Sequence, residues 1–482
     1  MTTHKLVSSI IAESGISFGT SGARGLIEQF SDEVCAAFTI AFISTMQSTF
    51  TFDRIAIGID RRPSSPKMAA ACANAASATG LKIDYYGVLP TPALALQAMA
   101  NHVPAIMITG SHIPFDRNGI KFYRPDGEIT KANEHDILNA ETPLPSITDN
   151  VLPPASDAAN QRYLERFTCW FSGSPLAGWK VGLYQHSAAG RDLNVQILSA
   201  LGAEVVTLGR SESFVPVDTE AVSEEDQVLG QSWAREHCLN TLLSTDGDGD
   251  RPLLADESGT WQRGDILGLL CAQTLGIEAL AVPISCNTAI ELCQAFTHVE
   301  RTRIGSPFVL SGMAKLAEQY SRVAGFEANG GFLLESELHS DNRHLSALPT
   351  RDALLPALSV MVAAARQGVA ISTLIAGLPR RYTESDRVQN FPIERSKALI
   401  ANWQCTPLMM EEALSLPASI LEIDTTDGLR AILQNGDIVH VRPSGNAPEF
   451  RCYCESSSQE AASSLRKHCL DQLIKLNHSD FE

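Results

Sequence analysis

Along the first two-thirds of the chain, short apolar runs alternate with Ala- and Leu-rich helix-forming stretches. Residues 54–60 (RIAIGID) read as a strand, and 65–80 as an Ala-rich helix closed by glycine. Strand 81–88, helix 92–102 and a buried strand at 104–110 (PAIMITG) follow. Strands separated by helices of this length predict parallel β-α-β units. The pattern restarts after a polar stretch, 141–160, with strand 179–185, helix 191–201 and strands 203–209 and 239–245. A third unit runs through helix 266–276, strand 279–285, helix 289–296 and strand 299–305. The last part differs: strands 419–424, 429–433, 437–443 and 449–456 are joined by short turns and covered by a helix at 459–474.

The pattern therefore predicts three α/β domains with mixed sheets and a smaller C-terminal α+β domain. The expected boundaries are 1–150, 151–256, 257–372 and 373–482. No run is long enough for a membrane span; the best, 353–365, has 13 residues and stops at Arg366, short of the roughly 20 required. The N-terminus lacks a signal-peptide pattern. The eleven cysteines are scattered and odd in number, which reads as a reducing compartment and a cytoplasmic protein. Cys452 and Cys454 are read as pointing opposite ways along their strand, so no cysteine pair is expected. A net charge of −18 argues against a nucleic-acid surface but leaves room for a small anionic substrate in a locally basic cleft.

Ligands of open α/β sheets lie beyond the carboxyl ends of strands, so the loops after apolar runs carry the chemistry. The loop 109–123 (TGSHIPFDRNGIKFY) gathers Ser111, His112, Arg117 and Lys121. It reads either as a cationic pocket around a phosphate-bearing serine or as a plain polar loop. In 244–259 (STDGDGDRPLLADESG), Asp246, Asp248 and Asp250 alternate with small residues. On an extended backbone they would project to one side as hard oxygen ligands for Mg²⁺ or Ca²⁺. Glu257 falls twelfth from Asp246, as in an EF-hand, but Arg251 stands where that loop needs glycine. In 325–332 (GFEANGGF), Glu327 and Asn329 suit vicinal sugar hydroxyls, with a Gly-rich hairpin as the other reading. In 442–451 (RPSGNAPEFR), Arg442, Ser444, Asn446 and Arg451 surround Gly445, as in a phosphate cradle or a surface turn. Arg24 lies between glycines in 18–25 (FGTSGARG).

Taken in order, these five stretches resemble the motifs of the α-D-phosphohexomutase family; DGDGDR matches its metal loop outright. The resemblance implies four domains around a central cleft and phosphoryl transfer on mannose or glucose phosphates. The transfer would pass through a phosphoserine and a 1,6-bisphosphate, the bisphosphate also serving as activator. Ser111 would carry the phosphate and share Mg²⁺ with Asp246, Asp248 and Asp250. Lys121 and His112 would be general acid/base groups, and Arg24 and Arg251 would stabilise the transferring phosphoryl. Glu327 and Asn329 would contact the sugar. Arg442, Ser444, Gly445, Asn446 and Arg451 would hold the second phosphate. A monomer or homodimer with hexose phosphates as its small-molecule partners follows, without nucleic acid or membrane. An inactive phosphosugar-binding relative and a phosphoglucosamine mutase are the alternatives. The chain departs from the family pattern at Gly110, Ile113, Asn329, Asn446 and Ala447.

Overall fold

A computed structural model describes residues 5–19, 22–148, 151–340, 342–444 and 448–478. It divides into two compact units, Met1–Leu280 with Gly305–Leu374, and Ala281–Ile304 with Ile375–Glu482.

The larger unit opens on a seven-stranded mixed sheet. Arg54–Ile59 lies between Lys82–Val88 and Ala105–Ile108, parallel to both, as the β-α-β reading requires. The next strand, Arg117–Arg124, runs antiparallel to Ala105–Ile108 and to Gly22–Leu26, so the serine loop is a reversal between two paired strands. The sheet is covered by helices such as Asp32–Gln47, whose start is set by the Ser31 hydroxyl accepting from Val34 N–H at 3.3 Å. Phe38, Phe42 and Phe122 pack beneath it with no measurable exposure or nearly none.

A second, four-stranded sheet has Lys180–His186 parallel to Glu204–Arg210 and to Thr241–Thr245. Pro252–Ala255 returns antiparallel to Thr241–Thr245, and the aspartate loop is the connection between these two. Further on, Val323–Phe326, Phe332–Leu334 and Leu348–Asp352 pair antiparallel in succession, and the glycine-rich stretch 327–331 joins the first two. The apolar run 353–365 forms the helix Leu354–Gln367, ended by Gly368 at φ 67°, and most of its side chains are buried in the protein. Among the described residues no helix is long and apolar enough to cross a membrane.

In the smaller unit, five antiparallel strands stand in the order Tyr382–Gln389, Glu449–Ser456, Ile438–Pro443, Leu429–Leu433, Ile420–Asp424. The helix Gln459–His478 packs on them. Here one expectation is corrected. Cys452 and Cys454 point the same way, with Sγ atoms 3.7 Å apart, and Cys469 joins them from the helix. Residues two apart in a strand share a face; it is Tyr453 that points away.

His440 in this sheet is buried and places Nε2 2.6 Å from the Asp427 carbonyl. Burial pushes its pKa down to about 4. The unfolded chain therefore takes up a proton that the fold refuses as pH falls through the ordinary 6.5 toward 4. In that window His440 lowers stability by about 1.4 kcal/mol per pH unit. The expected result is that the stability gap between the native protein and His440→Gln, read from urea midpoints, narrows from pH 7 to pH 5. A gap that stays constant or widens contradicts the assignment.

Candidate active site

The loop after Ala105–Ile108 turns sharply, with Ser111 at φ 53°, a left-handed conformation uncommon for serine. Its N–H donates to Thr109 Oγ1 at 2.8 Å. The loop is held from below by a residue the sequence analysis passed over. Arg62 is fully buried with Asp60, 3.2 Å from its carboxylate. It donates to four backbone carbonyls of the loop: Ser111, Ile113, Pro114 and Arg117, at 2.6–3.1 Å. This explains Gly110, since a Cβ there would meet the Arg62 guanidinium at 2.6 Å. Asp60–Arg62 directly follows a strand, so the rule that singled out the other loops also points here. Arg117, grouped by sequence with the cationic pocket, is instead exposed and serves the loop through its carbonyl.

The Ser111 hydroxyl meets the aspartate loop. Its Oγ donates to Asp246 Oδ2 at 2.6 Å and lies 3.3 Å from His112 Nδ1. Asp246, Asp248 and Asp250 are all buried and converge, with ligand atoms within 4.8 Å of one another. The convergence comes from a turn, not from the extended backbone expected. Gly249 N–H bonds to the Asp246 carbonyl, and Asp246 Oδ1 accepts from the N–H groups of Asp250 and Arg251.

Two of the three carboxylates have cations. Lys121 Nζ bridges Asp248 Oδ2 at 2.6 Å and Asp250 Oδ2 at 2.7 Å. Thr91 adds a hydrogen bond to Asp248 Oδ2 at 2.7 Å. Burial raises the Asp248 carboxyl and so does Asp250, but Lys121 outweighs them and holds it below the ordinary range. Burial likewise raises Asp250, and Arg351, Lys121 and Arg251 together pull it far lower. Asp246 has hydroxyl and amide donors, and burial with its two acidic neighbours pushes it well up.

Arg351 is a second residue that sequence reasoning missed. Nearly inaccessible at 2% exposed, it reaches Asp250 Oδ2 through Nε at 3.1 Å and Nη2 at 3.0 Å, and Glu327 Oε2 through Nη1 at 3.2 Å. It thus ties the aspartate loop to the 325–332 loop. Its side chain crosses Gly331, where a Cβ would lie 2.8 Å from it. Its location inside the strand Leu348–Asp352 gave no loop signal.

Glu327 and Asn329 are both buried, and each already uses an acceptor on the protein: Glu327 on Arg351, Asn329 Oδ1 on the Gly331 N–H at 2.9 Å. Arg251 donates to His112 Nδ1 at 2.9 Å. Burial, then Arg251, push the His112 pKa down to about 3, so the imidazole is neutral. Burial, then Arg251 and Arg351, lower Arg24 to about 10, which marks a concentration of positive charge beside the carboxylates.

In the smaller unit, Arg442 and Arg451 are direct cross-strand partners, and Arg387 pairs with Arg451 on the other side. Like charges directly opposite one another are unfavourable. Asp427 offsets Arg442 at 3.4 Å, and Glu449 offsets Arg387 at 3.2 Å and Arg451 at 3.6 Å. Such a row of guanidiniums is suited to an anion with several oxygens. Ser444 is buried at its end, with its N–H on the Glu449 carbonyl. Gly445 and Asn446 lie outside the described residues.

Three carboxylates beside a serine hydroxyl form a hard-oxygen donor set. Among the described residues, Asp248 Oδ1 and Asp250 Oδ1 are buried and accept no hydrogen bond. A divalent cation would satisfy both, so the residues fit a metal such as Mg²⁺.

Comparison with known proteins gives the same neighbourhood. The phosphoglucomutase/phosphomannomutase family model matches residues 15–142 (α/β/α domain I), 263–382 (α/β/α domain III) and 383–472 (C-terminal domain). A phosphomannomutase of Salmonella muenchen is 51% identical over 470 residues, covering 96% of this chain and 97% of its own. A phosphomannomutase of Sinorhizobium fredii is 41% identical, covering 96% and 99%. The crystal structure of a phosphoglucomutase/phosphomannomutase family protein from Burkholderia thailandensis shares the fold, with a TM-score of 0.75 at 18% identity over 99% of both chains.

Proposed function

Because the chain belongs to the α-D-phosphohexomutase family and is a hexose phosphate mutase, we propose that it interconverts mannose 6-phosphate and mannose 1-phosphate through phosphoserine 111. The observation that carries this reading is the Ser111 hydroxyl, 2.6 Å from one of three converging buried aspartates. Mannose is preferred over glucose because both relatives described above are phosphomannomutases. Relatives named for glucosamine phosphate are more distant, at 28% identity for one of them.

In the first half-reaction the Ser111 Oγ–P bond breaks while phosphorus bonds to a sugar hydroxyl; that hydroxyl gives its proton to the acid/base groups of the site, which return one to the departing Ser111 Oγ, so no net proton is released. In the second half the bisphosphate returns its other phosphoryl to Ser111, and the serine hydroxyl loses its proton as the new Oγ–P bond forms. The Ser111 hydroxyl directs that proton at Asp246 Oδ2, 2.6 Å away, while His112, 3.3 Å from Ser111 Oγ, has its Nδ1 occupied by the Arg251 N–H and acts as an acid/base group only when that contact opens. Lys121, which bridges Asp248 and Asp250, is the donor to the sugar oxygen that leaves in the second half. Arg24 and Arg251 supply positive charge for the phosphoryl oxygens. Asp246, Asp248, Asp250 and Ser111 are the residues that would hold Mg²⁺, which when bound neutralises charge on the transferring group. Glu327 and Asn329 face the sugar, Arg351 fixing the first of them. Arg442, Ser444, Gly445, Asn446 and Arg451 hold the non-reacting phosphate. The four-domain division at 150, 256 and 372 goes with this assignment, one loop from each domain.

A panel of mannose, glucose and glucosamine 6-phosphates tests it, run with Mg²⁺ and the matching 1,6-bisphosphate. The highest kcat/KM is expected for mannose. Chelation should abolish turnover and added Mg²⁺ restore it. Failure to turn over mannose 6-phosphate under these conditions rules the proposal out.

A further inference from the structure

The β-hairpin formed by Leu338–Ser340 and Arg343–Leu345 carries a cluster that the mutase chemistry does not use. Leu338 and Leu345 are direct partners across it, and both are buried, which anchors the hairpin. The alternation of a strand then turns the next pair outward, and His339 stands directly opposite His344. Glu337, two residues before His339, joins the same outward side. The juxtaposition follows from the register.

The two imidazole rings stack at 4.7 Å with an interplanar angle of 20°. Glu337 Oε2 lies 3.5 Å from His344 Nε2 and 3.9 Å from His339 Nε2. One ligand atom from each of the three residues falls within 4.8 Å of the others. A tetrahedral ion with bonds of about 2.0–2.1 Å needs its ligand atoms about 3.3–3.4 Å apart; the Glu337–His344 distance of 3.5 Å is close to this, and rotation of the exposed His339 side chain would close the 3.9 Å distance to Glu337. All three side chains are about half to two-thirds exposed, which leaves coordination positions open to solvent. Glu337 and His344 also line a cavity of about 590 Å³, together with Glu165, Cys169 and Arg343.

We propose that Glu337, His339 and His344 form a surface site for a late first-row divalent metal, with Zn²⁺ as its first candidate. Two imidazoles and a carboxylate are a donor set that Zn²⁺, Ni²⁺ and Cu²⁺ prefer and Mg²⁺ does not. The site is therefore chemically separate from the all-oxygen aspartate cluster.

The test is calorimetric titration of the chelator-stripped full-length protein with Zn²⁺ in excess Mg²⁺, which occupies the aspartate loop. One Zn²⁺ per chain is expected beyond any displaced Mg²⁺. The double variant His339→Ala/His344→Ala should bind it more than about 100-fold more weakly, since loss of a mere supporting contact already costs about 10–100-fold. Glu337→Gln, which keeps both rings, should weaken it by roughly tenfold. Co²⁺ bound to the native protein should show d–d absorption that the double variant lacks. The replaced side chains are exposed, so both variants should retain mutase activity and far-UV circular dichroism. Identical titrations for native and double-variant protein, or no Zn²⁺ uptake by the native protein, would overturn the proposal.

Discussion

Ser111→Ala is expected to reduce mutase turnover by about a thousandfold or more, because it removes the atom proposed to carry phosphate between the two half-reactions. The protein should remain folded. Alanine differs from serine by one hydroxyl, and the left-handed backbone at 111 is stabilised by Arg62 through the loop carbonyls, not by the serine side chain. The hydroxyl removed donates one hydrogen bond, to Asp246. A thermal midpoint within about 3 °C of the native value would separate lost chemistry from lost structure. Intact-mass measurement adds a second readout: the native protein incubated with hexose 1,6-bisphosphate should gain one phosphoryl group, and Ser111→Ala none. A variant that keeps native turnover removes Ser111 from the mechanism.

Replacing Arg351 should have the second largest effect, on stability and activity together. Its guanidinium is the shared partner of Asp250 and Glu327, all three almost wholly buried. Arg351→Met leaves two carboxylates in the interior with one cation fewer, and breaking buried pairs in this way costs about 3–5 kcal/mol. Chemical denaturation should show that loss. Arg351→Lys keeps the charge but not the fork that spans two carboxylates, so it should recover part of the stability. If Arg351 positions the sugar loop against the aspartate loop, the lysine variant will show raised KM for hexose phosphate along with lowered kcat. A lysine variant with native KM and kcat would reduce Arg351 to a structural tie.

Ser111 was legible in the sequence because its loop follows a buried strand and combines serine, histidine and lysine within eleven residues. The aspartate loop was legible from residue type alone, since three carboxylates among glycines have few uses besides a cation. Arg351 had no such signal. It sits within a strand that the sequence reading did not assign, and its two partners are 101 and 24 residues away. Arg62 was missed for a related reason: its contacts are to backbone carbonyls, and a carbonyl has no residue identity to read. Cys452 and Cys454 differ again: residues two apart on a strand share a face, so the two thiols meet where the sequence reading had set them apart.

The sequence by itself determined the alternation of strands and helices, the mixed α/β class and the order of the loops proposed to carry the chemistry. It also determined the chemical character of each loop, because donor type and charge belong to the residue. Only the tertiary structure decided that Ser111 meets Asp246 across 135 residues, that a turn makes the aspartates converge, and that Lys121 and Arg351 neutralise two of them. It also decided that His112 is neutral. These depend on burial and on contacts between distant segments. A low-dielectric interior makes each charge depend on the partners packing brings to it, and no local pattern encodes those partners.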